Sequence, residues 1–283
     1  MKRIAVTGGS GKLGRAVLDE LAEHGHRVVS LDRVPLPGSP HPFVQVDLGD
    51  YGDAVGSLTG VDSKYGFIDA VVHLAALPAP GLRTNAATFH ANMTASYNVF
   101  AAARAAGVTN IVWASSETVL GLPFTTPPPY LPVDEEYEAR PESTYSLVKT
   151  LEETMAAQLC RWAPDLKMIG LRFSNVMEPA DYAQFPGFDE DPAGRRWNLW
   201  SYIDARDGAQ AVRRALDLDV TGLDVFLIAN ADTVSSIPSS ELADRYFPDV
   251  PRKRELTGTE SLQSIEKARR VLGYEPQYSW RTA

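Results

Sequence analysis

Short apolar, β-branched runs recur along the chain and alternate with longer stretches whose apolar positions return every three or four residues. The runs at 3–7, 27–31, 43–46, 70–73, 110–114 and 167–171 have the length of strands. The stretches at 12–24, 88–106 and 143–162 carry the helical period, and each ends near a glycine or proline. Strands and helices in this alternation predict a parallel sheet covered on both faces, a Rossmann-type doubly wound α/β fold. After residue 171 the rhythm breaks. Residues 174–200 hold several prolines and glycines and read as loop, then a helix at 206–218 and a strand at 224–229 resume the pattern before a polar, irregular final stretch. We divide the chain into a core, 1–173, and a mixed region, 174–283. The second part is expected to build a small cap over the carboxyl ends of the strands, where such sheets bind ligands, and to return a helix and a strand to the core. The proline run at 127–129 predicts a stiff loop, either a pocket rim or a spacer. No internal repeat or low-complexity tract interrupts the pattern.

Composition narrows the function classes. The chain has 283 residues, 44% hydrophobic and 22% charged, an ordinary globular balance that supports a sizeable core. A net charge of −9, with no basic tract longer than 252–254, argues against nucleic acid as a partner. Cys160 is the sole cysteine, so no internal disulfide forms, and the chain suits a reducing cytoplasm. The first residues already read as a strand, leaving no room for a signal peptide. The longest apolar stretch, 67–77, is interrupted by Asp69 and His73 and is unfit to span a bilayer. Five scattered histidines, among them His24 and His26 around Gly25, lack metal-ligand spacing, so no metal site is expected.

The chemistry begins at Thr7-Gly8-Gly9-Ser10-Gly11-Lys12-Leu13-Gly14, between the first strand and the first helix. Gly8, Gly11 and Gly14 stand where a turn is tight, where backbone must approach a pyrophosphate, and where helix packs on strand. A helix start offers free N–H groups and a positive dipole end to phosphates. Asp32 ends the second strand, roughly 20 residues further on, where an acid accepts hydrogen bonds from the adenosine ribose. A carboxylate there would oppose a 2′-phosphate, which favours NAD; the neighbouring Arg33 keeps NADP open. Asp47-Leu48, past the third strand, is placed to meet the adenine edge or simply to form a turn.

Tyr145 and Lys149 are four apart in a helical stretch and share a face. A phenol with an ordinary pKa of about 10 is a poor base at neutral pH, and an adjacent ammonium together with a cationic nicotinamide would stabilise its phenolate. Ser116, just past the fifth predicted strand, is placed to hydrogen-bond the reacting oxygen.

Taken in order, these residues carry a resemblance. The glycine pattern, Asp32, Asp47-Leu48, His73-Leu74-Ala75-Ala76, Asn92-x-x-Ala95-Ser96-x-Asn98, Ser115-Ser116 ending in Gly121, Tyr145-x-x-x-Lys149 and Leu171-Arg172-Phe173-x-Asn175 are followed by Tyr202-Ile203-Asp204 and Leu272-Gly273-Tyr274-x-Pro276. The chain thus resembles, over nearly its whole length, the extended short-chain dehydrogenase/reductases of the NAD-dependent epimerase/dehydratase family. The resemblance implies that Tyr145 is the general acid/base, that Lys149 holds the nicotinamide ribose, that Ser116 orients the substrate oxygen and that Asn92 supports a proton relay. It also implies that Leu74, Ala75 and Ala76 line the cofactor, together with Lys12, Leu13 and the glycines.

Departures from the family pattern narrow the reaction. Glu117-Thr118 stands where family dehydratases carry an Asp-Glu pair, which disfavours dehydration. Only 176–201 intervenes before Tyr202-Ile203-Asp204, where nucleotide-sugar epimerases usually place a longer nucleotide-holding segment. The short build and Glu178-Pro179-x-x-Tyr182 look more like uronate dehydrogenases. Those carry Asn-His after the serine and an arginine after that tyrosine; Glu117-Thr118 and Ala183 stand here instead. Ser116, Glu117, Asn175 and Arg195 are the substrate-side candidates, although Arg195 and Arg196 read as solvated charges more readily than as ligands. Trp197 and Trp200 either stack on a sugar ring or pack the cap. The expectation is an NAD-dependent dehydrogenase of a small, sugar-like molecule, without nucleic acid or membrane partners and with a homodimer left open. The alternatives are a sugar 4-epimerase that retains NAD and, more remotely, a non-catalytic dinucleotide sensor.

Overall fold

A computed structural model describes residues 1–59 and 66–282. The chain order is β1 (Arg3–Thr7), α1 (Lys12–Glu23), β2 (Arg27–Asp32), β3 (Phe43–Gln45), α2 (Tyr51–Leu58), β4 (Ala70–His73), α3 (Asn85–Ala105), β5 (Asn110–Ser116), α4 (Thr144–Trp162) and β6 (Lys167–Phe173). It continues through β7 (Val176–Met177), the single turn α5 (Phe185–Phe188), β8 (Ile203–Asp204), α6 (Ala205–Asp217), β9 (Gly222–Ile228), α7 (Ser239–Tyr246) and α8 (Glu266–Leu272).

Seven strands form one parallel sheet in the order β3-β2-β1-β4-β5-β6-β9, the doubly wound architecture expected from the alternation. The chain winds outward from β1 to β3, then restarts at β4 on the other side of β1. The crevice between β1 and β4, at the carboxyl ends of these strands, is therefore the switch point of the sheet, with two diverging loops, where ligands of doubly wound sheets bind. Apolar residues of α1, α6 and α8 pack one face of the sheet, and those of α2, α3 and α4 pack the other. The close packing is visible where Trp113 of β5 pairs in register with Gly170 of β6: a Cβ on Gly170 would stand 2.8 Å from the buried indole. Cys160 is buried on α4.

A third apolar cluster, including Leu120, Phe185, Trp200, Tyr202, Leu242 and Phe247, forms the cap. It gathers residues after 173 together with the loop that follows β5. That loop, which holds the prolines at 127–129, is stitched to the carboxyl-terminal part by Leu131 N donating to Pro251 O and Val133 N donating to Leu262 O. After the cap begins, α6 and β9 return to the core, β9 pairing along the whole of β6.

The structure moves several element ends. β5 runs to Ser116 and β6 to Phe173, because each end residue is paired with the other across the ladder. α3 begins at Asn85, where Thr84 caps it by accepting from Ala87 N, rather than at residue 88. α2, capped by Asp50, was hidden by its glycines, and the irregular final stretch holds the short helices α7 and α8. Among the described residues no helix is long and apolar enough to cross a membrane, and no cluster of ligating side chains is arranged for a metal ion.

Candidate active site

The glycine loop turns sharply off β1. Gly8 has φ +71°, and a Cβ there would lie 2.7 Å from Ala75 N, so the loops after β1 and β4 touch backbone to backbone. A Cβ on Gly14 would meet Gly8 O at 2.1 Å, which seats the first turn of α1 directly on the loop. Gly11 is the N-cap and offers no side chain, so the N–H groups of Lys12, Leu13 and Gly14 are left for an anion. The Lys12 side chain leaves the loop and pairs with Asp181 at 2.6 Å, while Arg15 pairs with Glu178 at 2.5 Å. Both pairs tie α1 to the cap.

Asp32 sits beside this loop, accepting from Ser10 N at 3.1 Å and from Arg33 N at 2.7 Å. The Arg33 guanidinium turns to Asp47, 2.6 Å away, and that hydrogen bond, helped by Gly49 N, holds the Asp47 carboxyl below its usual range. Leu48 is buried, and its carbonyl accepts from the Asn98 amide at 2.9 Å. Thr7 Oγ1 accepts from Leu74 N and Ala75 N, so the half-buried Leu74-Ala75-Ala76 segment leaves β4 across the same crevice.

Ser116, Tyr145 and Lys149 come together at the carboxyl edge of the sheet. A reciprocal capping box between Ser143 and Ser146 fixes the start of α4 immediately around Tyr145. Lys149 Nζ lies 5.9 Å from the Tyr145 ring centroid and donates to Ala114 O at 2.8 Å and to Glu152 Oε2 at 2.9 Å. Burial pushes the Tyr145 hydroxyl up; the Lys149 charge and a hydrogen bond with Ser116 pull it back part of the way. Asn92, buried on α3, uses both ends of its amide on the Leu77 backbone, accepting from N at 2.8 Å and donating to O at 3.1 Å. It fixes the loop after β4.

The substrate-side candidates separate. Glu117 lies in the 3-10 turn after β5, buried, and accepts from Ser174 Oγ, Asn198 Nδ2 and Gln263 Nε2. Loss of water around it raises its carboxyl to about 7 despite those donors. Asn175 is half-buried, and its carbonyl accepts from Ile203 N at the start of the β7–β8 pair. Arg195 corrects the expectation of a solvated charge: it is buried, donates to Ser201 O at 3.0 Å and lies 5.1 Å from the rings of both Phe188 and Trp197. Arg196 is exposed. Trp200 is fully buried in the cap core with its indole N–H on Pro192 O, which removes it as a sugar-stacking residue. Trp197 is partly buried beneath Arg195.

Sequence reasoning passed over Glu152 and Glu153. Glu153 takes a bidentate pair from Arg172 and a hydrogen bond from Ser115, tying α4 to β5 and β6. Glu152 is fully buried between Lys149 and Ser96. The available signal was the three-residue step from Lys149, which puts an acid on the lysine's own face of the helix.

Known proteins resemble the chain in sequence and in fold. The human UDP-glucose 4-epimerase is 29% identical over 244 residues, covering 79% of this chain and 65% of that protein. The L-arabinose 1-dehydrogenase (NAD(P)(+)) of Haloferax volcanii is 28% identical over 259 residues, covering 88% of this chain and 96% of that one. Measured on the UDP-glucose 4-epimerases of rice, human and mouse, the chain spans about half to two-thirds of their length. A UDP-glucose-4-epimerase structure from Stenotrophomonas maltophila, with bound NAD and formylated UDP-arabinopyranose, superposes with a TM-score of 0.74 at 23% identity, covering 99% of this chain and 95% of that one. That likeness is one of fold. The model of the NAD dependent epimerase/dehydratase family matches residues 4–191, most of the chain and all of the site from the glycine loop to Asn175. The chain therefore belongs to the NAD-dependent epimerase/dehydratase family.

Proposed function

We propose that the enzyme is a net dehydrogenase of a small free sugar or sugar derivative, with Tyr145 as the acid/base. The residues fit the cofactor: an uncapped helix start on a loop too tight for any Cβ at Gly14 accepts a pyrophosphate, and Asp32 accepts ribose hydroxyls. With Arg33 committed to Asp47, Asp32 faces a bound adenosine without a cation to welcome a 2′-phosphate, which favours NAD over NADP. NAD, when bound, accepts the hydride.

The protein's own groups manage the proton. Ser116 Oγ accepts from Thr118 N at 3.2 Å and from Thr118 Oγ1 at 3.0 Å, so its own hydrogen is left for the Tyr145 oxygen, and a substrate oxygen entering between the two would take it over. Tyr145 beside it, ionised to the phenolate, takes the substrate hydroxyl proton as the C–H bond breaks, and the Lys149 ammonium stabilises the negative charge that the phenolate carries before that transfer. Asn92 holds the Leu77 loop against the site.

The observation that favours a small substrate is the cap's interior. Trp200, Arg195, Asn198 and Glu117 are all buried and engaged with the protein itself: Asn198 donates to Glu117 and, like Arg195, to Ser201 O, and the Trp200 indole donates to Pro192 O. The near full-length match to the L-arabinose 1-dehydrogenase supports the same reading. The 4-epimerase reading is favoured instead by the 29% identity to UDP-glucose 4-epimerases. The reactions differ in an observable, because a dehydrogenase releases reduced cofactor at each turnover and an epimerase returns the hydride. Purified protein with NAD and a panel of free aldoses, uronates and nucleotide sugars should accumulate stoichiometric reduced cofactor with a free sugar or sugar acid. Interconversion of a nucleotide sugar without net reduction would install the epimerase.

A further inference from the structure

The catalytic lysine does not stand alone. Lys149 and Glu152 are 3% and 0% exposed and form an ion pair of 2.9 Å within one turn of α4. The second carboxylate oxygen accepts from Ser96 Oγ of α3 at 2.7 Å. Ser96, its own proton spent on Glu152, accepts from His73 Nε2 of β4 at 3.1 Å; His73 Nδ1 then accepts from Thr7 Oγ1 at the end of β1, 2.8 Å away. This assigns the Nε2–H tautomer to His73, and burial, with the Lys149 charge nearby, lowers its pKa to about 3. The imidazole is neutral at any working pH. One polar chain thus runs from the strand that launches the glycine loop, through β4 and α3, to the catalytic helix.

We propose that Glu152 is a positioning residue for the reaction, anchoring the Lys149 ammonium beneath Tyr145 through a buried ion pair. The inference rests on Tyr145 and Lys149 being the working acid/base pair. A buried ammonium tends to shed its proton, and Glu152 is the largest influence that keeps Lys149 charged, with Tyr145 and Glu153 adding to it. Glu153 is itself paired with Arg172 at 2.8 Å. His73 faces Lys149 from β4 as a neutral group, and Ala114 O of β5 accepts a second hydrogen bond from Lys149. Tyr145 is faced by Lys149, Ser116, Glu152 and Glu117, and both carboxylates raise its hydroxyl. Glu152 therefore acts on both members of the pair in the same direction. Catalysis needs Tyr145 deprotonated and Lys149 protonated, so the two groups bound the working pH range from below and above.

Glu152→Gln keeps the shape and removes the charge. The tyrosinate absorbance of cofactor-free protein, with Tyr145 isolated among the 11 tyrosines by subtracting the same variant carrying Tyr145→Phe, should show Tyr145 ionising about one pH unit lower than in wild type. With NAD and a substrate, both limbs of the kcat/KM profile should move to lower pH. Glu152→Asp keeps the charge on a shorter arm: its limbs should stay at the wild-type positions while kcat falls, since Nζ is drawn away. A Gln variant that titrates like wild type, or an Asp variant with unchanged kcat, overturns the proposal; if the Gln variant does not fold, the Asp variant carries the test. Should Tyr145→Phe keep its turnover, the acid/base reading fails instead, and the cofactor-free titration still reports what Glu152 does.

Discussion

Burial of the Glu117 carboxyl among Ser174, Asn198 and Gln263 couples the fold to pH. An unfolded chain loses this proton near the ordinary 4.5, whereas the folded protein keeps it up to about 7. The group's contribution is thus most favourable below 4.5 and is lost as pH rises to about 7. Glu117→Gln, which keeps one neutral carbonyl oxygen for Ser174 and Gln263 and gives up the 3.4 Å bond from Asn198, should gain about 1–3 kcal/mol on wild type between pH 5 and pH 8. Denaturant unfolding at those two pH values measures it, and a difference that does not grow with pH would mean that the carboxyl titrates normally. Individual residues were legible where their role depends on near neighbours in the chain. Gly8, Gly11, Gly14 and Asp32 meet around one loop as their spacing anticipates, and Tyr145 and Lys149 share the face that their four-residue step demands. Arg195 was misread as solvated and Trp200 was left open between stacking and packing, because whether an arginine or a tryptophan is wet is decided by what closes over it.

Among the elements, α1 has the least freedom. Alanine is the better helix former by roughly 1 kcal/mol, yet at Gly14 its Cβ would press on Gly8 O at 2.1 Å and Gly9 Cα at 2.7 Å, both backbone atoms. Gly14→Ala should therefore displace the helix start from the loop and weaken NAD binding by at least about tenfold, a loss of about 1.4 kcal/mol. Calorimetric titration reads it, and wild-type affinity in the variant would show that the contact has slack. Strands and long helices were readable from their periods, since each buries a continuous apolar face. Their ends were not. β5 and β6 extend to Ser116 and Phe173 because they pair with each other, and α2 forms despite its two glycines because Ala54 and Leu58 are buried beneath it.

Over the whole molecule, the crevice proposed for the cofactor lies beside the segment after β7, and the Lys12–Asp181 and Arg15–Glu178 pairs tie α1 to that segment across a seam. These pairs are partly exposed and contribute little each; a bound dinucleotide should hold the seam more firmly. NAD at about 100 times its dissociation constant adds about 2.7 kcal/mol to stability and should raise Tm by several degrees. NADP at the same concentration should raise it less, because Asp32 opposes the extra phosphate. Equal shifts in a thermal melt would show that Arg33 leaves Asp47 to receive it. Alternating strand and helix periods, the glycine spacing and the Tyr145–Lys149 step are local properties, so the order of residues along the chain was enough to determine the doubly wound sheet and the meeting of the glycine loop with Asp32 at its edge. Only the tertiary structure decided what surrounds the reacting groups. Gln263 reaches Glu117 across 146 residues and Ser96 reaches Glu152 across 56, and no local pattern encodes such meetings. Burial and charge pairing, which set the protonation of Glu117, His73 and Lys149, arise when distant segments exclude water together.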